Sequence, residues 1–480
     1  MISDLIAASE ALLLWLPVLF IPGYVFGWLL DVLNFRCRAP LARCAISIPF
    51  GIAIVPIVTH LLWRWSLTAV WVMYGSCVIG FVALLFYERN ILSGPAVSKR
   101  AGAVLAIVGG WVVLGTLLLV DLQIGNRIFF PVAAYDYTLR TAITASITNS
   151  GIPPHNPYFF PGQPVALRYH YFWYMLCSAV DKLGGASVTA RQGMLAGTVW
   201  CGVGLMALTT LYLRFFQPKR SKDLDRRMLI GVSLLCVTGL DIIPMLLIAI
   251  LGRRLDASVE WWNTEVAAWV HAVLWAPHYI AALIACMTGF LVLRHAFSSN
   301  SLWRRVSGGV ASGLAFASAA GLGIYVVAVF AVFVMVWLTI TLRKKHWWEA
   351  IVICISGIAA LAAAAPYLIE LRGGGTAAGP GSGNGFPVQF AVRPFFLAEV
   401  MVEASWPYPG WRKPFVDALV LPLNYFLELG FFFVVGVVQC KRIFSGKAFF
   451  NHAQMCGFIM AATSLLICSF FRSTVIANND

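Results

Sequence analysis

"RYHYFWYMLCSAVDK", Arg168 to Lys182, is the stretch on which the topology of this chain turns. It is apolar enough to pass for a membrane span. The next apolar run, Gly193 to Leu213, leads into the strongly basic Arg214 to Arg227, and basic loops stay on the cytoplasmic side of a membrane. If Arg168 to Lys182 crossed, that loop would fall outside. The stretch is therefore predicted to lie along the outer interface, a depth that suits its Tyr and Trp content.

The rest of the chain makes a membrane the natural setting. Of its 480 residues 60% are hydrophobic and only 11% charged, with a mean hydropathy of +0.83, which is far from the balance of a soluble domain. The net charge of +14 sits in short clusters between apolar runs. This is the pattern of cytoplasmic loops and not of a nucleic-acid face, so no nucleic acid is expected as a partner. Most of the eleven Cys lie inside apolar segments and no CxxC pair occurs, which argues against a disulfide or zinc framework. The first apolar run, Ala11 to Leu33, has Asp4 and Glu10 before it and Arg36, Arg38 and Arg43 after it. That polarity is the reverse of a signal peptide's and predicts a retained helix with its N-terminus outside.

The fold class read from this pattern is all-α, a polytopic transmembrane helix bundle. Runs long enough to span are Ala11 to Leu33, Leu41 to Trp63, Leu67 to Tyr87, Ala101 to Val120, Gly193 to Leu213, Met228 to Leu251, His271 to Leu293, Ala350 to Leu371, Val416 to Val438 and Gln454 to Phe471; each needs about 20 apolar residues. Gly308 to Leu342 is too long for one span and is predicted to be a tight hairpin bending near Ser318 to Gly323. Basic loops at Arg36 to Arg43, Arg89 to Arg100, Arg214 to Arg227, Arg294 to Arg305, Arg343 to Lys345 and Lys441 to Lys447 are assigned to the cytoplasm. Residues 121–190 and the Gly-rich 372–414 then fall outside.

The first external loop gathers the chemistry. "AAYDYTLRTAITASITNSGIPPHNPYFFPGQPVALRYHYFWYM", Ala133 to Met175, holds one Asp, two Arg, two His and five Pro in an otherwise apolar chain. Asp136 is predicted to open an amphipathic helix that Asn149, Ser150 and Gly151 end and that Pro153 and Pro154 keep from resuming. Arg140 lies one turn on, on the same face. A carboxylate held beside a guanidinium can orient or deprotonate a hydroxyl while the Arg binds an anion; equally, the pair can be a solvated helix cap. His155, Asn156, Arg168, Tyr169 and His170 supply polar and ring groups to bind a lipid phosphate or a sugar, although ordinary interfacial polarity accounts for the two His as well. One carboxylate and two separated His are too few ligands for a hard divalent ion, so no cofactor is assigned. A divalent cation would need Glu260 or Glu265 to complete its shell.

Asp early in the first large external loop, an amphipathic helix, "GIPPHNP" and then "YHYFWYMLCSAVDKLGGASVTARQGMLAGTVW" together resemble the GT-C superfamily of polyprenyl-phosphate-dependent integral membrane glycosyltransferases, in particular a many-tyrosine bacterial and archaeal branch. The likeness covers roughly residues 101–371. "SGGVASGLAFASAAGLGIYVV" is similar to the superfamily's short hairpin that begins with small residues. The resemblance implies a GT-C-like catalytic core with juxtamembrane helices in its external loop, preceded by accessory helices in residues 1–100 and followed by C-terminal helices in residues 415–480. It implies Asp136 as catalytic carboxylate, a polyprenyl-phosphate-linked sugar donor, a lipid, glycan or protein acceptor, and an active site on the external face of a bacterial inner or plasma membrane. The chain departs from the pattern where Tyr137 follows Asp136, since some members carry paired acids there, and in its three additional N-terminal helices. It also ends directly after an apolar run, as a piece of a longer protein would.

Three further places compete for a role. Asp241, beside Pro244 in an apolar run, is an intramembrane carboxylate and a functional candidate by default, or else a group hydrogen-bonded at a kink. It would matter most in a transporter or flippase of lipid-linked sugars, the alternative activity. His278, just after Pro277, is the better candidate of the pair His271 and His278, and Glu260 and Glu265 lie among Trp residues near the outer surface. Glu370 and Glu428 read as single wet acids at membrane ends.

Overall fold

In the computed structural model the described residues are 2–88, 99–131, 134–158, 162, 165–216, 224–237, 239–240, 243, 246, 250, 268–372, 388–393, 412–445 and 452–473. They are overwhelmingly helical, and eight of the helices are long and apolar enough to cross a membrane. The protein is an all-α integral membrane protein. Asp241, Glu260 and Glu265 lie outside the described residues.

Contacts divide the chain into two units, the first comprising residues 1–235, 270–334 and 338–376. It opens with α1 (Ile2–Trp15) and α2 (Ile21–Leu29), which a wider turn at Leu16–Phe20 joins into one span. Then follow α3 (Pro40–Trp65), α4 (Leu67–Tyr87), α5 (Lys99–Leu119), a small hairpin of β1 (Leu122–Ile124) and β2 (Arg127–Phe129), α6 (Ala134–Ser150), α7 (Phe172–Gly184), α8 (Ala190–Phe215) and α9 (Leu224–Leu234). After α10 (Trp269–Trp275) come α11 (Pro277–Phe297), α12 (Leu302–Leu322), α13 (Ile324–Arg343) and α14 (Trp347–Arg372).

At the centre, α12 packs between α11 and α14 and against α3, while α3 also packs on α8 and α11. Small residues make this closeness feasible, as expected where van der Waals contact and not water exclusion joins helices. The clearest case is the approach of α2 to α3. A methyl at Gly51 would sit 2.5 Å from the carbonyl oxygen of Leu19, and one at Gly23 would meet the carbonyl of Ser47. Helices α1 to α3 are thus packed into this unit.

The chain breaks at Gly323, inside the window expected for the hairpin, and returns so that Phe330 packs on Phe316 with ring centroids 5.3 Å apart. α7 is, at 13 residues, too short to span, as the basic loop Arg214 to Arg227 requires, but its rings do not face headgroups: Phe172 to Val180 are all buried between α1, α3, α6, α8 and α12. Trp173 stacks on Trp15, 5.2 Å away, and the Trp15 indole donates to the carbonyl of Gly193 at 2.9 Å. Aromatic bulk serves a buried helix as well as an interface, and composition could not separate the two.

Charges sort to the two ends of this unit. One end carries Arg43 paired with Glu88, Arg304 with Asp31 at 3.1 Å, and Arg305 over the ring of Trp348 at 5.4 Å. The other carries Arg191 with Asp121 at 2.7 Å, Arg64 with Glu370 at 2.7 Å and Arg140 with Asp136 at 3.1 Å.

The second unit holds α15 (Arg412–Leu429), α16 (Phe431–Phe444), α17 (His452–Phe470) and the pair β3 (Val388–Phe390) with β4 (Phe471–Ser473). Val416 to Val438, expected as one span, is bent by 119° between α15 and α16. Gly430 at the bend has φ +46°, a left-handed conformation that glycine adopts without cost. Of the expected span Met228 to Leu251, the described helix ends at Leu234 and most of the remainder lies outside the described residues.

Candidate functional site

The loop helix α6 forms where the sequence places it. Asp136 is in its first turn, and Gly151, with φ +79°, ends it by donating its amide to the carbonyl of Ile147 at 2.8 Å. Tyr137, Arg140, Thr144 and Ile147 recur at helical spacing and are all buried. Thr148 donates to Asp181 on α7 at 2.6 Å, which fixes the two helices together.

What holds α6 on the bundle is the break between α10 and α11. Pro277 has no amide proton, so the helix cannot run through it and the last carbonyls of α10 are left open. The Tyr137 hydroxyl donates to the carbonyl of Leu274 at 2.7 Å and lies 3.0 Å from the Thr198 hydroxyl. Arg140 donates to the carbonyl of Trp275 with one guanidinium nitrogen and to Asp136 Oδ2, at 3.1 Å, with the other. A cation at the C-terminal end of a helix also meets the negative end of its dipole. Arg140 is therefore buried and committed to Asp136 and a main-chain oxygen, while the Asp136 side chain remains 29% exposed.

Against this pair stands a cluster of rings. His170 and His278 stack with centroids 4.7 Å apart, Tyr169 lies over His170 at 3.8 Å, and Tyr279 is 4.2 Å from His278. Tyr174 shares a hydrogen with His278 Nδ1 at 3.1 Å and is also bonded to Tyr169. The Nε2 atoms of both imidazoles are buried with no hydrogen-bond partner. Burial, with the nearby Arg140 charge adding to it, pushes His170 down to about 3. Burial likewise raises the Tyr169 and Tyr174 phenols, so at neutral pH these groups offer hydrogen bonds and faces without charge.

A second cluster gathers around Tyr171, the last residue of the same non-helical segment. Tyr171 donates to Glu370 Oε1 at 3.2 Å, and its oxygen is 3.2 Å from His60 Nε2. Tyr367 donates to the carbonyl of Tyr169 at 3.2 Å. Sequence reading missed His60 altogether and left Glu370 as a wet acid. The only local signal was a lone polar side chain in an apolar helix, and their partners come from distant parts of the chain.

Of the sequence candidates, Asp136, Arg140, Tyr169, His170 and His278 come together. The other described candidates do not join them. His155 is exposed and bridges Ala166 through its backbone, while Asn156 accepts the amide of Tyr158 at 3.0 Å and so shapes its own turn. Arg168 is exposed. Among the described residues no three of His, Cys, Asp and Glu converge in a way that could hold a metal ion. Comparison with protein-family models, curated proteins and solved structures gave no match.

Proposed function

We propose that this chain is a GT-C-like integral membrane glycosyltransferase that moves a sugar from a polyprenyl-phosphate donor to a lipid, glycan or protein acceptor, on the external face of a bacterial inner or plasma membrane. The observation that carries the reading is Asp136, a part-exposed carboxylate held by a committed Arg140 at the rim beside the Tyr169, His170 and His278 rings. Asp136 lies at the end away from Arg43 and Arg304, and basic clusters of that kind face the cytoplasm, which supports an external site.

In an inverting transfer the acceptor oxygen forms its bond to the anomeric carbon as the bond from that carbon to the phosphate oxygen breaks. The leaving polyprenyl phosphate keeps the electron pair, and Asp136 takes the acceptor's proton. Neutral phenols and imidazoles suit sugar hydroxyls, and ring faces suit the sugar's apolar side. Because Arg140 is already committed, the exposed Arg168 becomes the better candidate to meet the donor phosphate.

Radiolabelled sugar transfer from polyprenyl-phosphate sugars tests the reading. Asp136→Asn should cost about 10²–10⁴-fold in rate, the range of a general base, while donor binding persists. Full transfer by Asp136→Asn would overturn it. The transporter alternative rests on Asp241, outside the described residues, and predicts that Asp241→Asn is the more damaging change.

A further inference from the structure

The segment from Arg168 to Tyr171 lies outside any helix, yet two of its side chains build the ring cluster beside Asp136. Something must hold it in register. Its grip comes from the last turns of α14, just past Pro366. Tyr367 donates to the carbonyl of Tyr169 at 3.2 Å, and Tyr171 donates to Glu370 at 3.2 Å. Glu370 is in turn anchored by Arg64 of α3 at 2.7 Å. His60, one turn earlier on α3, lies 3.2 Å from the Tyr171 oxygen and packs its ring on Phe172 at 4.5 Å.

With Glu370 ionised beside Arg64, the proton count of these bonds follows. A phenol has one proton, and Tyr171 gives it to the carboxylate, which only accepts. The contact with His60 must then run the other way, from an Nε2 proton of His60 to the Tyr171 oxygen. That assigns His60 as the Nε2-protonated tautomer, in keeping with an Nδ1 that has no hydrogen-bond partner.

We infer that Glu370 and Tyr171, backed by Arg64, His60 and Tyr367, are positioning residues that fix the non-helical segment Arg168 to Tyr171 so that Tyr169 and His170 stand against His278 and Tyr279. Tyr171 follows His170 directly in the chain, so bonds that hold the Tyr171 hydroxyl and the Tyr169 carbonyl on either side of it limit where the His170 ring can stand. The inference deepens the glycosyltransferase reading in its kinetic consequence, while its structural content is independent of it.

The test uses the full chain in lipid nanodiscs with isotope-labelled histidine, as wild type, Tyr171→Phe, Tyr367→Phe and Glu370→Gln. Nitrogen shifts of the wild type should report His60 as the Nε2-protonated form. In Tyr171→Phe the His170 and His278 signals should shift or broaden, although the deleted oxygen bonds to neither ring. Tyr367→Phe deletes a different bond to the same segment and should give the same signature, so it carries the test if Tyr171→Phe does not fold. Glu370→Gln keeps an acceptor for Tyr171 and should be intermediate. With a polyprenyl-phosphate mannose as probe, Tyr171→Phe should lower kcat by about tenfold or more with donor KM little changed, the mark of lost orientation. Unchanged His170 and His278 signals in folded Tyr171→Phe and Tyr367→Phe overturn the inference. Absence of transfer by the wild type would instead count against the enzymatic reading, and the histidine spectra would still decide positioning.

Discussion

The imidazoles of His170 and His278 lie face to face, 4.7 Å between centroids and 20° from parallel, although 108 positions separate them in the chain. Two protonated rings would repel each other in that arrangement, so the pair carries at most one charge.

A pH dependence follows. His170 sits at about 3 in the folded protein and at about 6.5 when unfolded. Between those values the unfolded chain binds more protons, so stability rises with pH across that window and is lost as pH falls through it. Thermal unfolding in detergent should show a marked loss of stability from pH 6.5 towards pH 4. His170→Gln should flatten that slope; an unchanged slope would mean that His170 is not buried as a neutral ring.

Arg140 should matter more to the fold than its partner does. Arg140→Ala leaves the carbonyl of Trp275 open as well as Asp136 unpaired, at a cost of about 1–3 kcal/mol for the stranded groups. Asp136→Asn keeps an acceptor for Arg140 and should unfold close to the wild type. Unfolding curves of the two variants in one detergent compare them directly.

The close approach of α3 to the turn Leu16–Phe20 gives a third expectation. A methyl at Gly51 meets the backbone of Leu19, which cannot swing aside as a side chain would. Gly51→Ala should lower stability by about 1–3 kcal/mol through overpacking. Gly75→Ala, where nothing lies within 4 Å, should be tolerated. Retained folded protein after detergent heating distinguishes them.

Sidedness is open to labelling. With the exposed Cys37, Cys236, Cys354 and Cys468 replaced, a cysteine put at Arg168 should react with an impermeant maleimide added to intact cells. One put at Arg304 should react only after permeabilisation. The reverse pattern would place Asp136 in the cytoplasm and remove the external-site proposal.

Sequence alone reveals those features that local chemistry controls. The spans are legible because lipid demands long apolar runs, α6 because Gly151 stops it, and the hairpin because Gly323 follows a run of small residues. The bend at Gly430 is not legible, since a glycine in an apolar run looks the same whether it packs or turns. The burial of α7 is hidden for a related reason: Tyr and Trp suit both the headgroup layer and a packed interior. His60 and Glu370 have meaning only through Tyr171, which reaches one from 111 residues and the other from 199 residues away.

The interruption at Pro277 reaches beyond the local shape of one helix. By baring two main-chain oxygens it makes a socket, and Tyr137 and Arg140 are the pegs that fill it. The next residue, His278, belongs to the ring stack, so the socket and the stack share a single rigid footing. Any tilt of the loop helix carrying Asp136 must lift its pegs or drag that footing along, and the carboxylate and the rings therefore travel as one body.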